Sequence, residues 1–188
     1  MEIKRILSSK SMKLVTLLLT SMLIASASAL VYYSLNMTST ITTATADNVY
    51  FVSGAAGDAS AAGTSIFNNN KSATLASLKA YPNMTVSYDD PIRVRNNHTS
   101  TSFSVRLRHV TRTGDAANFE FITFMLNTTT TVSLNYTSNG AIWTDPSVTG
   151  WTTVSPNTEY AIIVQTRANA TATVDQMATI EIAIDVQL

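Results

Sequence analysis

Hydrophobic and polar positions alternate along most of this chain. In Leu30 to Ala46 (LVYYSLNMTSTITTATA), Tyr33, Leu35, Met37 and Ile41 fall on one face at a period of two. Tyr32, Ser34, Asn36, Thr38, Thr40 and Thr42 fall on the other. That is the pattern of a β-strand with one buried side. No turn signal follows before Asp47-Asn48, so the strand does not fold straight back as a tight hairpin. The same period returns in Thr101 to Thr111, where Phe103, Val105 and Leu107 alternate with Ser104, Arg106 and Arg108. It returns again with Val132, Leu134 and Tyr136 opposite Ser133, Asn135 and Thr137. Near the C-terminus, Ile180, Ile182, Ile184, Val186 and Leu188 are expected inward, and Thr179, Glu181, Ala183, Asp185 and Gln187 outward. Further strands are expected over 48–53, 84–88, 92–95 and 159–167. Phe119 to Leu126 (FEFITFML) is apolar on both faces, which predicts a central strand covered from both sides.

The breaks between these runs carry turn chemistry. Tyr81-Pro82, Asp89-Asp90-Pro91, Thr113-Gly114-Asp115, Asn139-Gly140 and Ser155-Pro156-Asn157 all read as turns. Gly54 to Gly63 reads as a Gly/Ala loop, and 65–72 as a polar stretch. In Ala73 to Ala80 the period leaves a helical turn and a strand edge both open. Trp143 and Trp151 are expected to seal one end of the core. Many short strands with almost no helical period predict an all-β fold: a jelly-roll-like antiparallel β-sandwich with an extended N-terminal strand.

The start of the chain looks like a leader. Met1 to Lys13 is positively charged, Leu14 to Ile24 is apolar, and Ala25-Ser26-Ala27-Ser28-Ala29 offers two overlapping A-x-A sites. This predicts a secretory signal peptide over 1–29, removed within Ala27–Ala29. The expected divisions are then 1–29 signal, 30–46 N-terminal strand and 47–188 sandwich. A membrane anchor is the alternative, but the apolar run falls short of the ~20 residues a spanning helix needs. A type IV pilin leader, cut before the apolar run, is another, although Lys13-Leu14 lacks the usual small residue before the cut.

Composition narrows the function classes. Of twelve basic residues four lie in the leader, and of twelve acidic ones only Glu2, which leaves eight against eleven in a mildly acidic mature chain. No basic patch with interleaved aromatics remains, so nucleic acid is not an expected partner. The chain has no cysteine, which excludes disulfides, thiolate metal sites and thiol catalysis. Seven N-x-S/T sequons occur, at Asn36, Asn70, Asn83, Asn97, Asn127, Asn135 and Asn169. On a secreted chain they predict N-glycosylation, and Asn36 and Asn135 sit on the polar faces of their strands.

Catalytic signatures are missing from the sequence. His98 falls inside the sequon at Asn97, and His109 shares the inward parity of Phe103, Val105 and Leu107, which suits a partly buried structural role. There is no HExxH, GxSxG or GxxxxGK spacing. Asp89-Asp90 is a weak calcium candidate that a turn before proline explains more simply. No enzyme activity, cofactor or metal is therefore expected; a secreted hydrolase would need carboxylates that converge in a cleft.

Four features together resemble a known group: the A-x-A signal, the tail VYYSLNMTSTITT directly after it, the segment PIRVRNNHTSTSFSVRL, and the C-terminal stretch WTTVSPNTEYAIIVQTRANATATVDQMATIEIAIDVQL. The chain is similar to secreted TasA/camelysin-like filament proteins, above all the heavily glycosylated thread and bundling-pilus subunits of archaea. The resemblance implies a jelly-roll-like subunit whose N-terminal strand inserts into the neighbouring subunit. The donor face would be Tyr33, Leu35, Met37 and Ile41, the partners other copies of the chain, and the location an extracellular cell-surface filament serving adhesion or biofilm. Camelysin relatives are described as proteases; with no metalloprotease motif here, that activity is not carried over. The rival expectations are a type IV pilin-like subunit with a retained helix and a monomeric glycan-binding or surface-layer-associated sandwich.

Overall fold

A computed structural model describes residues 35–43, 48–172 and 177–188, with the side chains of 35–38, 42 and 43 excluded. The expectations for the leader, Tyr33 and residues 44–47 lie outside the described residues. Alternating segments pair into two six-stranded sheets, as period-two patterns with one apolar face require. The first sheet holds β1 (Leu35–Thr43), β3 (Thr64–Phe67), β4 (Ser72–Ala80), β6 (Phe103–Thr113), β10 (Thr152–Val154) and β12 (Met177–Gln187), in the order β10-β6-β12-β1-β4-β3. The second holds β2 (Val49–Ser53), β5 (Val86–Asn96), β7 (Phe119–Asn127), β8 (Thr131–Ser138), β9 (Trp143–Thr144) and β11 (Thr158–Ala168), in the order β2-β5-β11-β7-β8-β9.

Setting β1 aside exposes the plan. The strands of the central roll then run β4, β12, β6, β10 in the first sheet and β5, β11, β7, β8 in the second. Apart from the β7–β8 hairpin, successive strands of this set swap sheets in the manner of two Greek keys, which is the jelly-roll order. β2, β3 and β9 only extend the edges. In such a roll β4 and β12 would be direct neighbours; here β1 lies between them.

The core lies between the sheets. Leu75, Leu78, Val105, Leu107, Ile180, Ile182 and Ile184 from the first sheet meet Phe51, Ile92, Val94, Ile122, Phe124, Leu126, Ile162 and Val164 from the second. The last strand's inward run stops early: Val186 is only partly buried and Leu188 is exposed.

Several local expectations change. The Gly/Ala loop contains a helix, α1 (Ala56–Ala62), because the alanine-rich run favours helix and Gly63 ends it at φ 65°. Residues 64–67 and 72–80 are strands, so the ambiguous Ala73–Ala80 stretch resolves to β4. Asp89-Asp90-Pro91 is not a turn but a bulge inside the continuous strand β5. Ile92 faces Ile162 and Tyr88 faces Val164, so three residues oppose Ile163 alone. A bulge accommodates proline because its missing N–H has no ladder partner to lose. Asp90 fastens the bulge to α1: Ala55 N–H donates to its carboxylate (3.0 Å), and its own N–H donates to Asp58 (2.8 Å). Gly54 is required there, since a Cβ would stand 1.9 Å from the Asp90 carbonyl oxygen.

β7 is covered on one face only. Phe119, Ile122, Phe124 and Leu126 are buried, whereas on the outer face Phe121 and Met125 are half-buried and only Thr123 between them is buried. Sheet two has no layer outside it among the described residues, so the apolar run on both faces marks a platform rather than a doubly covered strand. The tryptophans also differ. Trp143 is buried against Phe119, 5.7 Å between ring centroids, and seals the core. Trp151 is 40% exposed and lies under the Arg106 guanidinium at 4.5 Å.

Candidate functional site: the strand slot between β4 and β12

β1 is hydrogen-bonded along both edges. It runs parallel to β12, with Ser39 beside Ile180, Thr40 beside Glu181 and Ile41 beside Ile182. It runs antiparallel to β4, with Ser39 opposite Leu75, Thr40 opposite Thr74 and Ile41 opposite Ala73. A register shift between Met37 and Ser39 marks a bulge on the β4 side. Every other ladder between the described strands is antiparallel. The parallel pair joins strands from opposite ends of the chain, with no local crossover between them.

The inward parity of this segment holds where side chains are described. Ile41 and Ser39 are fully buried, and Thr40 is half-exposed. Tyr33 lies outside the described residues, and Leu35 and Met37 are placed by backbone register alone. The Ser39 hydroxyl is buried without a hydrogen-bond partner among the described residues, a cost on the order of 1–3 kcal/mol. Without β1, the facing edges of β4 and β12 would stand ~10 Å apart, two strand spacings. Their N–H and C=O groups would be unpaired and the core open at Ile41. A slot with hydrogen-bonding flanks and an apolar floor accepts an extended strand. In the single chain that strand is its own residues 35–43.

The sequons divide by environment. Asn36 lies on β1, in register with Lys79 and Met177. Asn70 and Asn83 are exposed in turns at positive φ (64° and 58°), and Asn97 is exposed in the β5–β6 loop. Asn127 is exposed at the end of β7, and Asn135 on the outer face of β8. Asn169 differs. Its Nδ2 donates to the carbonyls of Ala117 and Phe119, both at 2.9 Å, and of Ala116 at 3.4 Å. A sugar on that nitrogen would replace one of its N–H groups and break the clamp.

The candidate catalytic groups are held by structural contacts. His98 Nδ1 accepts from the backbone N–H of Thr101 (2.9 Å) and Ser100 (3.2 Å), a loop cap. His109 is half-buried and its Nδ1 meets the Tyr136 hydroxyl at 3.0 Å. Burial pushes the Tyr136 phenol well above its usual range. Asp89 accepts from Ser87 Oγ (2.6 Å), and Asp90 is paired with Arg93. Among the described residues no group of three or more His, Cys, Asp or Glu side chains is placed to hold a metal ion. Reading the sequence missed Asn96, which is fully buried. Its Nδ2 donates to Thr101 (2.9 Å) and Val154 (3.2 Å) carbonyls, and its Oδ1 accepts from His98 N–H (2.9 Å). Its only signal was an asparagine at the inward parity of Ile92 and Val94.

No protein-family model matches the chain, and no curated protein matches it either.

Proposed function

We propose that this protein is the structural subunit of an extracellular, N-glycosylated filament, serving adhesion or biofilm. Residues 30–46 of one copy enter the slot between β4 and β12 of the next. One observation carries this reading: β1 is the strand the jelly roll does not need, inserted where two of its strands would otherwise meet. In chain order it precedes every other strand of the roll.

Self-insertion and donation form the same two ladders and bury the same inward groups. Their free energies therefore differ mainly through the connection and the subunit concentration, as in a domain swap. Donation from head to tail is heterologous, and a heterologous contact that does not close on itself grows a fibre. The second reading, a monomeric glycan-binding or surface-layer-associated sandwich, is favoured by the pairing of β1 within its own chain. A type IV pilin-like subunit would keep residues 14–29 as a helix, and sequencing the mature N-terminus decides it.

The cysteine-free sequence supplies a clean test. Thr40 and Glu181 are register partners and neither is buried. Cysteines at both positions, oxidised on native surface material, should give a ladder of covalent oligomers on a denaturing, non-reducing gel. A monomer band alone, with electron micrographs free of fibres, overturns the filament reading.

A further inference from the structure

On the outer face of the second sheet a polar row crosses three strands. Gln165 of β11 is in register with Thr123 of β7, which is in register with Asn135 of β8. On β7 this row is flanked by Phe121 on one side and Met125 on the other. The result is an open trough of about 370 Å³, lined also by Ser133 and Thr137. Its length across three strands is ~10 Å, about that of a disaccharide.

Asn135 stands at one end and belongs to the sequon Asn135-Tyr136-Thr137. It is exposed, Thr123 Oγ1 donates to its Oδ1, and its Nδ2 makes no hydrogen bond to the described residues. The amide is thus oriented by its oxygen while its nitrogen stays available. Thr137, the hydroxyl residue of the sequon, lies directly across from Phe121.

We propose that this trough seats the first one or two pyranose rings of a glycan carried on Asn135. The inference rests on the secreted-glycoprotein part of the reading above. Attachment follows ordinary chemistry with a diphosphate-activated oligosaccharide as donor. The Nδ2–C1 bond forms, the C1–O bond to the diphosphate breaks, and Nδ2 gives up one proton. The trough then offers each surface of a sugar its match. The C–H face of the ring lies against Phe121 and Met125 and removes half-exposed apolar area from water. Ring hydroxyls and acetamido groups meet Gln165 and the exposed hydroxyls of Ser133 and Thr137. This also gives an occupant to the two large apolar groups of a trough otherwise lined by Thr, Ser, Asn and Gln. A glycan fixed to the rim is the occupant at highest effective concentration.

The test uses intact protein from its native secretory route. Glycopeptide mass spectrometry should find Asn135 occupied. Thr137→Val and Asn135→Gln each remove the sugar, by different routes, and each should lower the melting temperature by about 2–4 °C. Phe121→Ser should lower it similarly in the glycosylated protein and by less than half as much in the Thr137→Val background, since residues joined through one contact are not additive. A bare Asn135, or additive effects in the double variant, overturns the proposal. The filament reading fails separately: fibres with a bare Asn135 retain it, and monomers with an occupied, coupled Asn135 sink it while keeping the seat.

Discussion

β7 and β1 are both interior strands, hydrogen-bonded on two sides, yet they are held in different ways. β7 turns into β8 through residues 128–130 and buries Phe119, Ile122, Phe124 and Leu126. β1 pairs with one strand some thirty residues on and with another at the far end of the chain. At its two described inward positions it supplies one large apolar side chain, Ile41, and one unpartnered hydroxyl, Ser39. Closing ladders across such separations costs more chain entropy than closing a hairpin. The contrast separates a strand that builds the core from a strand that fills a gap in it. Only the second kind can be exchanged between copies without dismantling the roll.

The strongest way to break that distinction is a buried carboxylate. Ile41→Asp with Leu35→Asp should expel β1, because an unpaired buried charge costs more than ~4 kcal/mol. On the proposed filament reading, secretion should continue while fibres disappear from electron micrographs. Phe124→Asp, at a fully buried position of β7, should abolish the folded domain altogether. If both variants behave alike, β1 is as much a part of the body as β7. Next in size is the roll's own buried polar latch: Asn96→Ala should lower unfolding stability by roughly 2–4 kcal/mol in denaturant titrations. Its effect should be equal with β1 present or expelled.

Ser39→Ala points the other way. Removing a buried hydroxyl without a partner should stabilise β1 in its slot by about 1 kcal/mol, read as a higher denaturant midpoint. A loss would mean that the hydroxyl is bonded. The smallest effect is alkaline. The folded-state pKa of Tyr136 is raised by burial above the unfolded value of 10.0. Its contribution is therefore complete below pH 10 and is lost as pH rises through the folded value. Tyr136→Phe should flatten the fall in stability above pH 10 and leave the profile near neutrality unchanged.

Much of the roll was legible because period two survives wherever one strand face meets the core. Phe103, Val105 and Leu107, or Ile180, Ile182 and Ile184, need no partner to reveal their inward side. What was hidden depends on residues brought together from afar. The bulge at Asp89-Asp90-Pro91 reads as a turn until α1 and Ala55 are seen holding it. FEFITFML reads as doubly buried until the trough beside Asn135 explains Phe121 and Met125. The seven sequons all fit the one N-x-S/T pattern, and only the tertiary clamp on Asn169 sets that one apart. Pairing order is likewise non-local: the alternation of 30–46 predicts a strand but does not say which edges it will join.

The parallel course of β1 and β12 fixes the polarity of the subunit. Residue 36 lies beside 177 and residue 43 beside 184, so the two strands point toward the same pole. Leu188, 88% exposed, therefore stands beyond residue 43, at the pole opposite residue 36. On the proposed filament reading the neighbour's body would follow residue 43 at that same pole, so an affinity handle or small enzyme fused after Leu188 should crowd the junction between copies and shorten the fibres, as measured in electron micrographs.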